Sequence, residues 1–145
     1  MKAHFALYLT EIGLDTEAAK GKLDEVLRVA ELLAREEVKD IFICDVIEAN
    51  GARTHGELFC FTDNYILEVR DFRASLDVDI WPLRSGIGYL ETKAKDYTWV
   101  STPPESRLFV TAQGGDYASF DFRASGGNCA RLKAIVEKYL LPRTR

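Results

Sequence analysis

The apolar residues of this chain change period at Asp40. Before that point Ala19, Leu23, Val26, Leu27, Ala30 and Leu33 recur at three- and four-residue intervals, which places them on one stripe of a helix. Asp15 or Thr16 suits its N-cap, and the pattern predicts a helix to about Val38. Asp24 with Arg28, and Glu31 with Arg35, stand four residues apart with the acid first, the spacing that supports a solvated helix face. After Asp40 the period is two, in segments of strand length separated by Asn, Asp and Gly. The order predicts an α+β protein in which the amphipathic helix docks on the chain's own sheet.

The alternation predicts about seven antiparallel strands. The first runs from Asp40 to Ala49 and ends at Asn50-Gly51; the second is His55 to Thr62, and Asp63-Asn64 turns it into a third, Tyr65 to Asp71. A fourth, Asp77 to Trp81, stops at Pro82, a fifth spans Gly88 to Lys95, and Tyr97 to Val100 continues the sheet before Pro103-Pro104. Two more, Arg107 to Gln113 and Tyr117 to Arg123, flank Gly114-Gly115-Asp116. A final helix opens at Gly126-Gly127-Asn128, carries Cys129, Leu132, Ile135, Val136, Tyr139 and Leu140 on its apolar stripe, and stops at Pro142. Residues 5 to 12 fit either a strand with Phe5, Leu7 and Leu9 on one face or a helical turn pairing Phe5 with Leu9. The pentapeptide DFRAS, at Asp71 to Ser75 and Asp121 to Ser125, has no shared flanks and no third copy, so it does not mark a repeat architecture.

Composition narrows the function classes. With 145 residues, 47% hydrophobic and 29% charged, the chain is the size and type of one domain that folds without staples. Nineteen Lys and Arg against 23 Asp and Glu give a net charge of -4, which repels phosphate backbones and anionic lipid at long range. Nucleic acid is excluded as a general partner and a membrane surface is disfavoured. Cys44, Cys60 and Cys129 are odd in number with no CxxC spacing, which fits free thiols in a reducing cytosol better than disulfides or a zinc site. The opening MKAHFALYLTEIGLD is too polar for a signal peptide, and no apolar run reaches membrane-span length. The expectation is a cytoplasmic protein.

Seven short antiparallel strands followed at once by one amphipathic C-terminal helix, with HGELFCFTDNYILEV at 55–69 as a second and third strand, resemble the pleckstrin-homology-like barrel. The resemblance covers residues 40–141 and implies a barrel or strongly bent sheet over 40–145, one folding unit with its C-terminal capping helix, preceded by a helical extension over 1–39. It also implies a binding module, since members of that superfamily mostly bind peptides, proteins or phosphoinositide head groups. The equivalent loops here are Asn50 to Arg53, Phe72 to Leu76 and Gln113 to Asp116.

Candidate chemistry is sparse. Arg53, His55, Arg70 and Arg73 converge at one barrel end if the resemblance holds, and form the candidate site for an acidic ligand, with Asp71, Asp77 and Asp79 as competing partners. Cys129, near a helix N-terminus, is the best candidate nucleophile, but its only possible histidine bases are His4 and His55, and a small residue on an apolar stripe is the simpler reading. Ser125-Gly126-Gly127-Asn128 offers backbone N–H groups to an anion, although its spacing matches neither GxGxxG nor a P-loop. Asp77 and Asp79 share a strand face without further ligands, and Tyr97, Trp81 and Trp99 are aromatic residues of strands, usually core. No metal, cofactor or catalytic constellation is called for. The reading is a non-enzymatic module for protein–protein interaction. Its rivals are a carrier or enzyme with a pocket on the curved sheet, an anionic-lipid binder using Arg53, Arg70 and Arg73, and a dimeric chaperone for a secreted protein.

Overall fold

A computed structural model describes residues 1–47, 53–70, 77–96, 106–115 and 118–144, the backbone alone at 46, 47, 53, 54, 95 and 96. Helices α1 (Ala3–Glu11) and α2 (Glu17–Ala34) come first. Strands β1 (Asp40–Ile47), β2 (Arg53–Phe61), β3 (Tyr65–Val69), β4 (Val78–Pro82), β5 (Ile87–Asp96), β6 (Ser106–Gly114) and β7 (Ser119–Ser125) follow, then helix α3 (Asn128–Ile135). Four strands make one sheet in the order β1-β2-β3-β4 and three make another in the order β5-β6-β7. The pairings of β2 with β3, β3 with β4, β5 with β6 and β6 with β7 are antiparallel, and the described strands form no closed barrel. Contacts divide the chain into two units, Met1–Ile43 with Gly56–Pro82 and Cys44–His55 with Leu83–Arg145. The possible strand at Tyr97 to Val100, the turn at Asn50-Gly51 and the first DFRAS copy lie outside the described residues.

In the first unit the ambiguous segment is helical. Phe5, Tyr8 and Leu9 are buried together while Leu7 is 60% exposed, the reverse of what a strand would do with Leu7. The Tyr8 hydroxyl is buried and satisfied by Ile43, accepting from its N–H at 2.9 Å. Gly13, at φ 78, lets the chain reverse after α1. Helix α2 begins as expected, with Thr16 Oγ1 accepting from Ala19 N at 3.2 Å. It ends at Ala34 rather than Val38, because Arg35 turns into the left-handed region at φ 55 and the Glu31 carboxylate accepts from Val38 N at 3.1 Å. Leu33, expected on the apolar stripe, is therefore half exposed, and Ala34 is buried in its place. Asp24, expected to face Arg28, pairs with the Met1 amine at 3.3 Å.

The rest of the stripe is core. Ala19, Leu23, Val26, Leu27 and Ala30 join α1 and Ile41, Ile43, Leu58, Cys60, Leu67 and Val69 in one hydrophobic cluster. Complete burial of a side chain such as Leu23 stabilises the fold by ~1.5–3 kcal/mol relative to exposure. The turn from β2 to β3 falls where Asp63-Asn64 placed it, with Thr62 N donating to Tyr65 O at 3.0 Å. Glu36 braces it, accepting from Thr62 Oγ1 at 2.6 Å and from Asn64, and these bonds hold its carboxyl below the usual range.

In the second unit, register puts Leu90, Thr92 and Ala94 of β5, Leu108, Val110 and Ala112 of β6, and Phe120, Phe122 and Ala124 of β7 on one sheet face. Helix α3 packs on β6 and β7. Its apolar stripe is buried at Leu132, Ile135, Val136, Tyr139 and Leu140, but Cys129 is only partly buried and Asn128 is buried instead. The helix passes into a π-helical segment, Val136–Leu140, and a last turn, Leu141–Arg143, that contains Pro142 rather than stopping before it. Thr144 then makes a parallel bridge to Ile87 at the start of β5.

Candidate functional site

The described structure contains the side chains of two of the four residues read as a site for an acidic ligand, His55 and Arg70. Arg73 and the Arg53 side chain lie outside it. His55 is partly buried on β2, and Arg70 is exposed just past β3. Arg70 stands near carboxylates: its charge lowers the Glu68 pKa, against the raising effect of Glu57 and Asp79. Register explains this, since Glu68 lies opposite Asp79 and one step from Glu57 on the same face. The Glu68 carboxyl is raised to about 7, by burial first and then by its hydrogen bond with Glu57. Asp77 precedes β4 and is exposed, as is Asp79. Among the described residues no group of three or more His, Cys, Asp or Glu side chains is placed to hold a metal ion.

At the Ser125-Gly126-Gly127-Asn128 turn, the anion present is a carboxylate of the chain itself. Asp45, 2% exposed, accepts from Ser125 N at 3.0 Å, Ser125 Oγ at 2.7 Å and Asn128 Nδ2 at 2.9 Å. Gly126, at φ 56, makes the strand-to-helix turn, and its N–H donates to Ser106 O at 2.8 Å. One of these donors, Ser125 N, is a backbone N–H of the kind read from the sequence; the other two are side-chain groups, and an internal carboxylate accepts from all three.

Because α3 covers β6 and β7, the β5 side of the same face is left open, with Thr92 and Ala94 exposed. The result is a cleft of about 430 Å³ with a floor of Thr92, Ala94, Leu108 and Val110. Its wall is the α3 side, where Cys129, Lys133, Val136, Glu137 and Leu141 follow one another at helical spacing. Cys129 lies partly exposed in this wall with its thiol donating to the Ser106 carbonyl at 3.5 Å. Neither buried thiol is a better nucleophile: burial pushes Cys60 up to about 12, and Cys44 lies against the Asp121 carbonyl at 3.7 Å.

The cleft was not read from the sequence, although two signals for it exist. Thr92 and Ala94 are small residues at the inward positions of a strand whose outward positions are Glu91 and Lys93. Asp45 is a lone carboxylate inside the apolar run from Ile41 to Ile47, the mark of a buried polar contact. Among the described residues no helix is long and apolar enough to cross a membrane. In comparisons with protein-family models, curated proteins and solved structures, nothing matches this chain.

Proposed function

We propose that this chain is a non-enzymatic protein-binding module of pleckstrin-homology-like architecture that takes its partner at the β5 side of the second sheet. The observation that supports this is the open cleft beside an edge strand. β5 ends the order β5-β6-β7, and a strand in that position offers backbone N–H and C=O groups to an incoming chain. The adjoining cleft has an apolar floor for alternate side chains of that chain. Seven strands before a C-terminal helix follow the element order by which the chain resembles the pleckstrin-homology-like superfamily.

The test is affinity capture from a lysate of the source organism with the wild-type chain and with Ala94→Trp, which fills the cleft at an exposed position. Loss of a stoichiometric partner in Ala94→Trp alone is the expected result, with Leu32→Asp, at a 78% exposed position of α2, as the control that keeps binding. Equal capture by Ala94→Trp and wild type would reject the cleft as the binding surface. A small-ligand carrier is the second reading, favoured by a cleft volume in the range of small-molecule sites. It predicts a bound compound in native mass spectra of the purified protein.

A further inference from the structure

We infer that the partner of the β5 edge is a second copy of this chain, paired antiparallel across a two-fold axis at Thr92 so that two three-stranded sheets become one of six. The inference rests on the protein-binding reading above and names its partner. Three observations carry it. The first is length: β5 has ten residues, and among the described residues its pairing outside β6 is the bridge of Ile87 to Thr144, leaving Gly88 to Asp96. That stretch is centred on Thr92, so a two-fold there sets Gly88 opposite Asp96 and uses the whole free edge.

The second observation is charge. About the same centre, Glu91 of each copy falls opposite Lys93 of the other, and the pair occurs twice by symmetry. Both residues lie on the sheet face away from α3, where register sets them beside Thr111 and Phe109. In the single chain they already pair with each other, Lys93 Nζ to Glu91 Oε1 at 3.2 Å, so each is oriented along the strand and exchanges one partner for another. Like charges in these places would instead protect an edge.

The third is the opposite face. Leu90 of the second copy falls beside Ala94, at the open end of the cleft floor where Thr92 and Ala94 are exposed. The second copy thereby covers apolar surface that α3 leaves open.

Charge reversal tests the pairing by sedimentation equilibrium of the full chain, with circular dichroism to confirm that each variant folds. Wild type is expected as a dimer. Lys93→Glu and Glu91→Lys each place like charges opposite one another twice and weaken association by ~tenfold or more. The double variant Glu91→Lys with Lys93→Glu restores opposite pairs and is expected to restore the dimer. A monomeric wild type overturns the inference, and if Ala94→Trp still abolishes capture of another protein, the protein-binding reading survives it. A dimer indifferent to both single reversals overturns it as well, because association then uses another surface. A monomer whose captured proteins are unaffected by Ala94→Trp removes the inference and the reading together.

Discussion

The two sheets use their helices differently. In the first unit, α1 and α2 close over the sheet face carrying Ile41, Ile43, Leu58, Cys60, Leu67 and Val69, and all but the last traces of those side chains leave solvent. In the second, α3 lies over β6 and β7 only, and the same face remains open along β5. A helix pair covers a four-stranded sheet; a single short helix does not cover three strands. The difference separates a sheet face that is closed from one that is left partly open.

Substitutions of equal chemistry in the two regions give the largest contrast. Leu23→Ala, at a position with 0% exposure, is expected to cost ~2–5 kcal/mol in urea denaturation. Leu108→Ala, on the partly exposed cleft floor, is expected to cost below ~1 kcal/mol. Equal losses at the two sites would mean that the cleft is packed like a core, and the comparison would fail.

A smaller effect is expected at Asp45, which ties the start of α3 to β1 and so holds the wall of the cleft. Asp45→Ala strands the Ser125 and Asn128 donors and is expected to cost ~1–3 kcal/mol. Hydrogen exchange sharpens the result: protection should fall first in α3 and leave α2 unchanged, and equal losses in both helices would contradict a local role.

The smallest effect concerns pH. Glu68 is raised to about 7 in the folded chain, from 4.5, by burial and then by Glu57, with Asp79 adding and Arg70 opposing. The folded state therefore holds this proton more tightly than the unfolded state does. Stability present below pH 4.5 is expected to decline as pH rises toward 7 and then level off. Glu68→Gln stays neutral throughout and should flatten the decline. An unchanged slope in the variant would place its source in another group.

Much of the fold was legible because it is local. Thr16 as N-cap, the Ala19 to Ala30 stripe, the Asp63-Asn64 turn and the seven strands all follow from periodicity and turn chemistry within a few residues. The misses have causes that apolar spacing does not carry. Leu33 has the spacing of a buried residue, but the helix ends beneath it, because Glu31 captures Val38 N and Arg35 reverses the chain. Cys129 sits on the apolar stripe of α3, yet the bonds of Asn128 to Asp45, 83 residues away in sequence, turn Asn128 inward instead. Of the three candidate arginines, Arg70 has a described side chain, which is exposed and placed by register among carboxylates.

By itself the sequence determined the α+β class, the order of elements from α2 onward and most of their apolar faces, because these depend on spacing along the chain. Only the tertiary structure decided that the strands divide into sheets of four and three, and that Asp45 fills the turn at Ser125. It alone decided that α3 stops short of β5. Whether a helix covers two strands or three depends on where it lands across the sheet, and register and packing between distant segments set that position.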